Sequence, residues 1–155
     1  MLVRLGESLY LDASPDDVWR LLRDTPRFAG LLPGVGSVTS LEEETTEAYA
    51  AKLSDKIGPF KVAMNLQVRI TETLEGSLLK AAIGGVDSDG MNRLTGSMLI
   101  ALSPASSGTQ MNFEASVEVL GKLATLGAVP IRRRTTQLFA EFARNIQGQF
   151  AKENS

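Results

Sequence analysis

FKVAMNLQVRI, residues 60–70, is apolar at every second position: Phe60, Val62, Met64, Leu66, Val68 and Ile70, with Lys61, Asn65, Gln67 and Arg69 between them. A strand turns successive side chains to opposite faces, so a period of two predicts a half-buried antiparallel strand with one wet face. Such a strand needs partners and a cover. The same alternation recurs in Leu94, Met98, Ile100 and Leu102 and, beyond the turn SPASSG, in Met111, Phe113, Ala115, Val117 and Val119. Less regular strands are read in SVTSLEE, EAYAAKLS and SLLKAAIGG, with hairpin turns at Gly58-Pro59, at Glu75-Gly76 and at DSDG, residues 87–90.

Outward from this middle the pattern changes. VRLGESLYLDA reads as a first strand with Val3, Leu5, Leu9 and Leu11 on one face, which puts Glu7 on that face too. Glu7 is then either at a frayed sheet edge, the blander reading, or a buried carboxylate whose pKa burial would raise. SPDDVWRLLRD carries a helix signature: Ser14 as cap, Pro15 at the first position, Asp16 and Asp17 on the positive end of the dipole, and Val18, Leu21 and Leu22 as the apolar stripe, with Trp19 at its edge. TPRFAGLLPG follows as a second short helix or turn that ends near Pro33. At the other end Ile131, Thr135, Leu138, Phe142, Ile146 and Phe150 recur every three to four residues, the stripe of a long amphipathic helix. Pro130 would kink that helix or mark its start, which leaves GKLATLGAVP as a separate turn or gate. The expected architecture is α+β, in one domain over residues 1–155: two short N-terminal helices and a curved antiparallel sheet of about six or seven strands around a long C-terminal helix.

Composition removes many functions. The chain has 155 residues, 43% of them hydrophobic, with a formal net charge of −2 and neither cysteine nor histidine. Disulfides, thiolate metal sites, Ser-His and Cys-His dyads and imidazole bases are therefore excluded. Charges are scattered along the sequence without the clustered basic surface that nucleic acid requires, so no nucleic-acid partner is expected. No stretch approaches the roughly 20 apolar residues that cross a bilayer, and the chain reads as cytoplasmic. Gly34-Val35-Gly36 in RFAGLLPGVGSV, residues 27–38, precedes a strand and meets Thr39 where a dinucleotide fingerprint needs glycine, so it reads as a turn. DSDG lacks the remaining ligands of a calcium loop. Any acid or base catalyst would have to come from carboxylates, Tyr10, Tyr49, lysines or arginines, and no pair of these converges in the sequence.

SPDDVW after a first strand, LLPGV, KIGPFKVAMNLQVRI and GKLATLG leading into the last helix keep the order and spacing of the CoxG family of carbon monoxide dehydrogenase subunits, which this chain resembles over nearly its whole length. That family belongs to the helix-grip superfamily, with the START lipid-transfer domains and the birch-pollen allergen. The resemblance implies a helix-grip fold around an apolar cavity, no metal and no cofactor. It also implies a non-catalytic accessory role: binding a quinone or lipid and helping recruit a molybdenum hydroxylase to the membrane. Some members carry a C-terminal attachment segment, whereas this sequence ends at FAKENS, so a short form or weak, non-covalent contact at the inner membrane face is expected.

On this chain the implied cavity falls to Val62, Met64, Leu66, Met98, Met111, Phe113, Phe139 and Phe142. Thioethers adapt to irregular ligands, although methionine also fills plain cores. Its mouth would set Phe28, Leu31, Leu32 and Val35 opposite KLATLGAVP, which contains Leu126. Arg132, Arg133 and Arg134 are candidate membrane or partner contacts, against the blander reading of a solvated helix start; successive helical residues diverge by about 100° and cannot build one pocket. The alternatives are a helix-grip enzyme of the cyclase or hydrolase type and a structural interaction module with a filled core.

Overall fold

The computed structural model describes residues 1–42 and 45–151, so the ends of SVTSLEE and FAKENS lie partly outside the described residues. The elements are β1 Leu2–Leu11, α1 Pro15–Arg23, α2 Thr25–Ala29, β2 Val35–Leu41, β3 Ala48–Ile57, β4 Phe60–Leu74, β5 Leu78–Asp87, β6 Asn92–Ala105, β7 Gly108–Gly121, a 3-10 turn Lys122–Leu126 and α3 Ala128–Ala151. Seven antiparallel strands form one sheet in the order β1-β7-β6-β5-β4-β3-β2, so β1 and β2 are its edges. This is the helix-grip arrangement expected from the sequence.

Local chemistry sets the elements as read. Ser14 Oγ accepts from the Asp17 amide at 3.2 Å and caps α1, whose buried face is Val18, Leu21 and Leu22. The hairpin turns at Gly58-Pro59, Glu75-Gly76 and DSDG fall where glycine, proline and aspartate punctuate the chain. Gly34 is required by geometry: its φ is +87°, and a Cβ there would run into the Ser54 carbonyl. Gly36 carries no such requirement, since a Cβ added there would stand 3.8 Å from its nearest neighbour, the Lys52 carbonyl. Pro130 does not kink α3. It sits in the first turn, where amide hydrogens have no partner within the helix, so its missing donor costs nothing there.

The buried stripe of α3 is Ile131, Phe139, Phe142, Ile146 and Phe150. Leu138, expected in that stripe, is only half-buried, and Phe139 replaces it. Two closed clusters flank the middle of the inner face. The larger joins Leu9, Leu11, Val18, Leu21, Leu22 and Phe28 to Ile100, Met111, Phe113 and the C-terminal half of α3. The smaller joins Val3, Val62, Met64, Val119 and Leu123 to Ile131.

Candidate functional site

Residues paired across strands point to the same face, and the register therefore identifies what looks at α3. The row Ala51, Leu66, Gly85 and Leu94 faces inward, as do Leu53 beside Met64 and Met98 between Ala81 and Ala115. Leu53, Leu66, Val68, Leu94 and Met98 remain half-buried even though they face the helix. Val68 and Met98 pack against the larger cluster and Leu66 and Leu94 against the smaller, and Leu66, Leu94 and Met98 also line the concavities of the outer face. A side chain under a helix keeps accessible surface only where its neighbours leave it space, because packed interiors contain few voids.

The sequence-predicted cavity residues divide across this boundary. Phe28, Val62, Met64, Met111, Phe113, Phe139 and Phe142 are buried. Leu31, Leu32, Leu66, Met98 and Leu126 are half-buried. One end is closed by a phenylalanine cluster, with Phe28 to Phe142 at 5.2 Å edge-on, Phe113 to Phe139 at 5.5 Å and Phe139 to Phe142 at 6.3 Å between ring centres. Glu7 faces inward on the edge strand, opposite Phe113, and is half-buried.

Two clasps hold α3 against the β2–β3 side of the sheet. Arg134 donates to Asp55 from Nη2 at 2.8 Å and from Nε at 3.0 Å. That fork keeps the Asp55 carboxyl below its usual range although burial opposes it, and raises the Arg134 guanidinium. Near the other end Asn145 Nδ2 donates to the Leu31 carbonyl at 2.8 Å and Arg27 donates to Gln149 at 2.9 Å. Residues 27–31 thus dock on the C-terminal half of α3. By contrast, the 3-10 turn bonds to β6 through Leu123 N and Asn92 Oδ1 at 2.8 Å, and Leu126 lies beside Gly58. Of the expected mouth, Phe28, Leu31 and Leu32 do not face residues 123–130, since with a rise of 1.5 Å per residue Phe142 lies roughly 21 Å along α3 from Ala128, whereas Val35 pairs with Leu53 towards the β3–β4 hairpin. The arginine run is corrected at Arg134 alone. Arg132 and Arg133 are exposed, whereas Arg134 is committed to Asp55.

A polar group that the sequence did not reveal stands where α1 meets β3. Arg23 binds Glu47 through both nitrogens at 2.7 and 3.3 Å, and the Tyr49 hydroxyl donates to Glu47 at 2.7 Å. Burial pushes Glu47 up, but the hydrogen bonds from Arg23 and Tyr49 and the charge of Arg23 outweigh it and lower its pKa. Burial and the bond to Glu47 raise Tyr49. Thr25 is buried beside this pair, and its Oγ1 makes no hydrogen bond of acceptable geometry. No sequence spacing could have joined residues 23, 25, 47 and 49, because the sheet's curvature brings them together.

The outer face of the sheet carries two open concavities of about 980 and 580 Å³, the larger over Lys52, Asn65, Gln67 and Arg93. Among the described residues no cluster of carboxylates could hold a metal ion, and no helix is long and apolar enough to cross a membrane.

The fold is shared with a conserved protein from Geobacillus kaustophilus, at a TM-score of 0.85 and 24% identity over 97% of this chain and 96% of that one. Ara h 8.0201 superposes at a TM-score of 0.69 with 12% identity, over 98% of this chain and 99% of that one. The Zhui aromatase/cyclase from Streptomyces sp. R1128 gives 0.65 and 11%, over 100% and 97%. No curated protein matches the chain in sequence. A family match covers residues 8–151, from the middle of β1 to the last turn of α3, and the chain belongs to the CoxG family of carbon monoxide dehydrogenase subunits.

Proposed function

We propose that this chain is a non-catalytic accessory protein that holds an apolar molecule, a quinone or lipid, between α3 and the sheet, and helps bring a molybdenum hydroxylase to the membrane. Family membership supports the accessory role. The observation that carries the binding is the band of half-buried, inward-facing apolar side chains Leu53, Leu66, Val68, Leu94 and Met98. Burial of apolar ligand surface there is worth about 25 cal/mol per Å², and a concave, mostly apolar lining is the usual character of a small-molecule site. Of the predicted contacts, Leu66 and Met98 belong to this band, Leu31, Leu32 and Leu126 are half-buried against the clusters, and Val62, Met64, Met111, Phe28, Phe113, Phe139 and Phe142 are buried within them.

The cyclase-like neighbours raise a catalytic alternative, and the electrostatics weigh against it. A general acid or base works best with a pKa near the operating pH. Glu47 is shifted down and Tyr49 up, so this hydrogen-bonded carboxylate–phenol pair is held away from neutrality. Native mass spectrometry of protein purified from its own host, before and after organic extraction, tests the proposal. A bound quinone or lipid is the expected result. Recovery of none, together with no binding of added quinone, refutes it.

A further inference from the structure

Acids and bases are scattered along the sequence, but the fold sorts them by end. The β3–β4 hairpin, the β5–β6 turn, the end of β7, the 3-10 turn and the first turn of α3 meet at one end of the sheet. Lys56, Lys61, Arg93, Lys122, Arg132 and Arg133 are all exposed there. The acids at this end are mostly engaged: Asp55 holds Arg134, Glu118 holds the Met1 amino group at 2.8 Å, and Asp87 is buried against Asn92. Asp89 accepts from the Met91 amide. The opposite end exposes Asp12, Asp16, Asp24, Glu42 and Glu75, with Glu72 paired to Lys80 at 3.1 Å and Arg20 and Arg27 exposed beside them. A net charge of −2 therefore conceals a molecule with a basic end and an acidic end.

Large apolar side chains stand in water at the basic end: Met91 is 52% exposed, Leu120 49% and Val129 61%. They stand at the same end of the sheet. The Met91 carbonyl accepts from the Lys122 amide, Leu120 pairs with Arg93 across β6 and β7, and the 3-10 turn leads directly into Val129. Protein interfaces are depleted in lysine, and their apolar core is continuous. Here each apolar tip is separate and has a cation beside it. That pattern suits the interfacial layer of a bilayer, where apolar groups enter the acyl boundary and cations meet anionic headgroups.

We propose that this end of the sheet docks on an anionic bilayer surface, with Met91, Leu120 and Val129 dipping into the interface and Lys122, Arg132 and Arg133 among the headgroups. The proposal rests on the membrane part of the function above, gives it a surface, and is independent of what fills the interior. The acidic end, repelled by the same headgroups, orients the molecule.

Co-sedimentation with vesicles of phosphatidylcholine alone and of an equal mixture with phosphatidylglycerol tests it, at low and high salt. The wild-type protein should bind the mixed vesicles and leave them at high salt. Each cation near such a surface is worth roughly fivefold in partitioning, so Arg132→Gln with Arg133→Gln should weaken binding roughly 25-fold. Met91→Ser with Val129→Ser should weaken it at low salt; these side chains are exposed, and an unchanged circular dichroism spectrum confirms the fold. Asp16→Asn with Asp24→Asn, at the far end, should change binding by less than about twofold. Equal binding to both kinds of vesicle, or undiminished binding by either tip variant, overturns the proposal. Vesicle binding by a protein that carries no apolar ligand supports the docking surface and refutes the ligand reading alone.

Discussion

Gly85→Ala measures whether the inner face has room. Gly85 is buried on the inner face between Leu66 and Leu94 in the cross-strand row. An added Cβ would lie 2.8 Å from Leu66 Cδ2, 2.8 Å from Met64 Sδ and 3.0 Å from Met64 Cγ. Only Leu66 Cδ2 is the end of a flexible side chain; Sδ and Cγ lie within the buried Met64, so both side chains must move. Alanine at a compatible position gains about 0.4–1 kcal/mol by restricting the unfolded chain, and displacing the two side chains from their rotamers costs about 0.5–1.5 kcal/mol each. With open space beside Leu66 and Met64 these largely offset, and the loss should stay below about 2 kcal/mol and below that of Gly96→Ala. In a filled interior the displaced atoms have nowhere to go, and overpacking costs about 1–3 kcal/mol. Gly96→Ala supplies the contrast, because its Cβ would meet the Ser116 carbonyl and sit 2.9 Å from Val117 Cα, backbone that cannot swing aside. Urea denaturation of both variants reads the difference. If Gly85→Ala loses as much stability as Gly96→Ala, the interior is filled and the chamber reading falls.

Asp55→Asn should cost about 1–3 kcal/mol, the worth of charge-assisted hydrogen bonds reduced for the partial exposure of Arg134. Because the folded pKa of Asp55 is lowered, its contribution is complete above its unfolded value near 4 and is lost as pH falls through the folded one. The gap between variant and wild type should therefore be constant from about pH 5 to 8 and close in more acid solution; a gap that instead grows in acid refutes the assignment. Thr25→Val should leave stability unchanged or raise it by about 1 kcal/mol, since it removes a buried hydroxyl without a partner. A loss greater than that in thermal unfolding would mean that the hydroxyl is bonded to Tyr49. Phe142→Ala opens the centre of the phenylalanine cluster and should cost about 3–5 kcal/mol by chemical denaturation, with Phe28 losing its ring contact.

Much of the fold was legible because strand and helix periods are local properties. The alternation in Phe60–Ile70, the cap and stripe of SPDDVWRLL and the glycine-punctuated hairpins each depend on residues a few positions apart, and each appears where it was expected. The errors came from properties that span the chain. The helix stripe was placed on Leu138, but the side of α3 that the sheet grips is set by Phe113 and Phe28, and these select Phe139 and Phe142. Arg134 looked like one of three equivalent arginines until β3 placed Asp55 beneath it. The polar group of Arg23, Glu47, Tyr49 and Thr25 has no local signature at all.

By itself the sequence determined the elements, their inward faces, and the absence of imidazole and thiol chemistry, because these follow from side-chain type and spacing. Tertiary structure alone decided which residues meet. The packing of α1 against the start of β3 carried Arg23 to Glu47, strand pairing carried Leu66 to Gly85, and the antiparallel order collected every second turn at the same end of the sheet. Charges evenly scattered along the chain were sorted in this way into a basic, apolar-tipped end and an acidic one, since an antiparallel meander sends alternate connections to opposite ends whatever their separation in sequence.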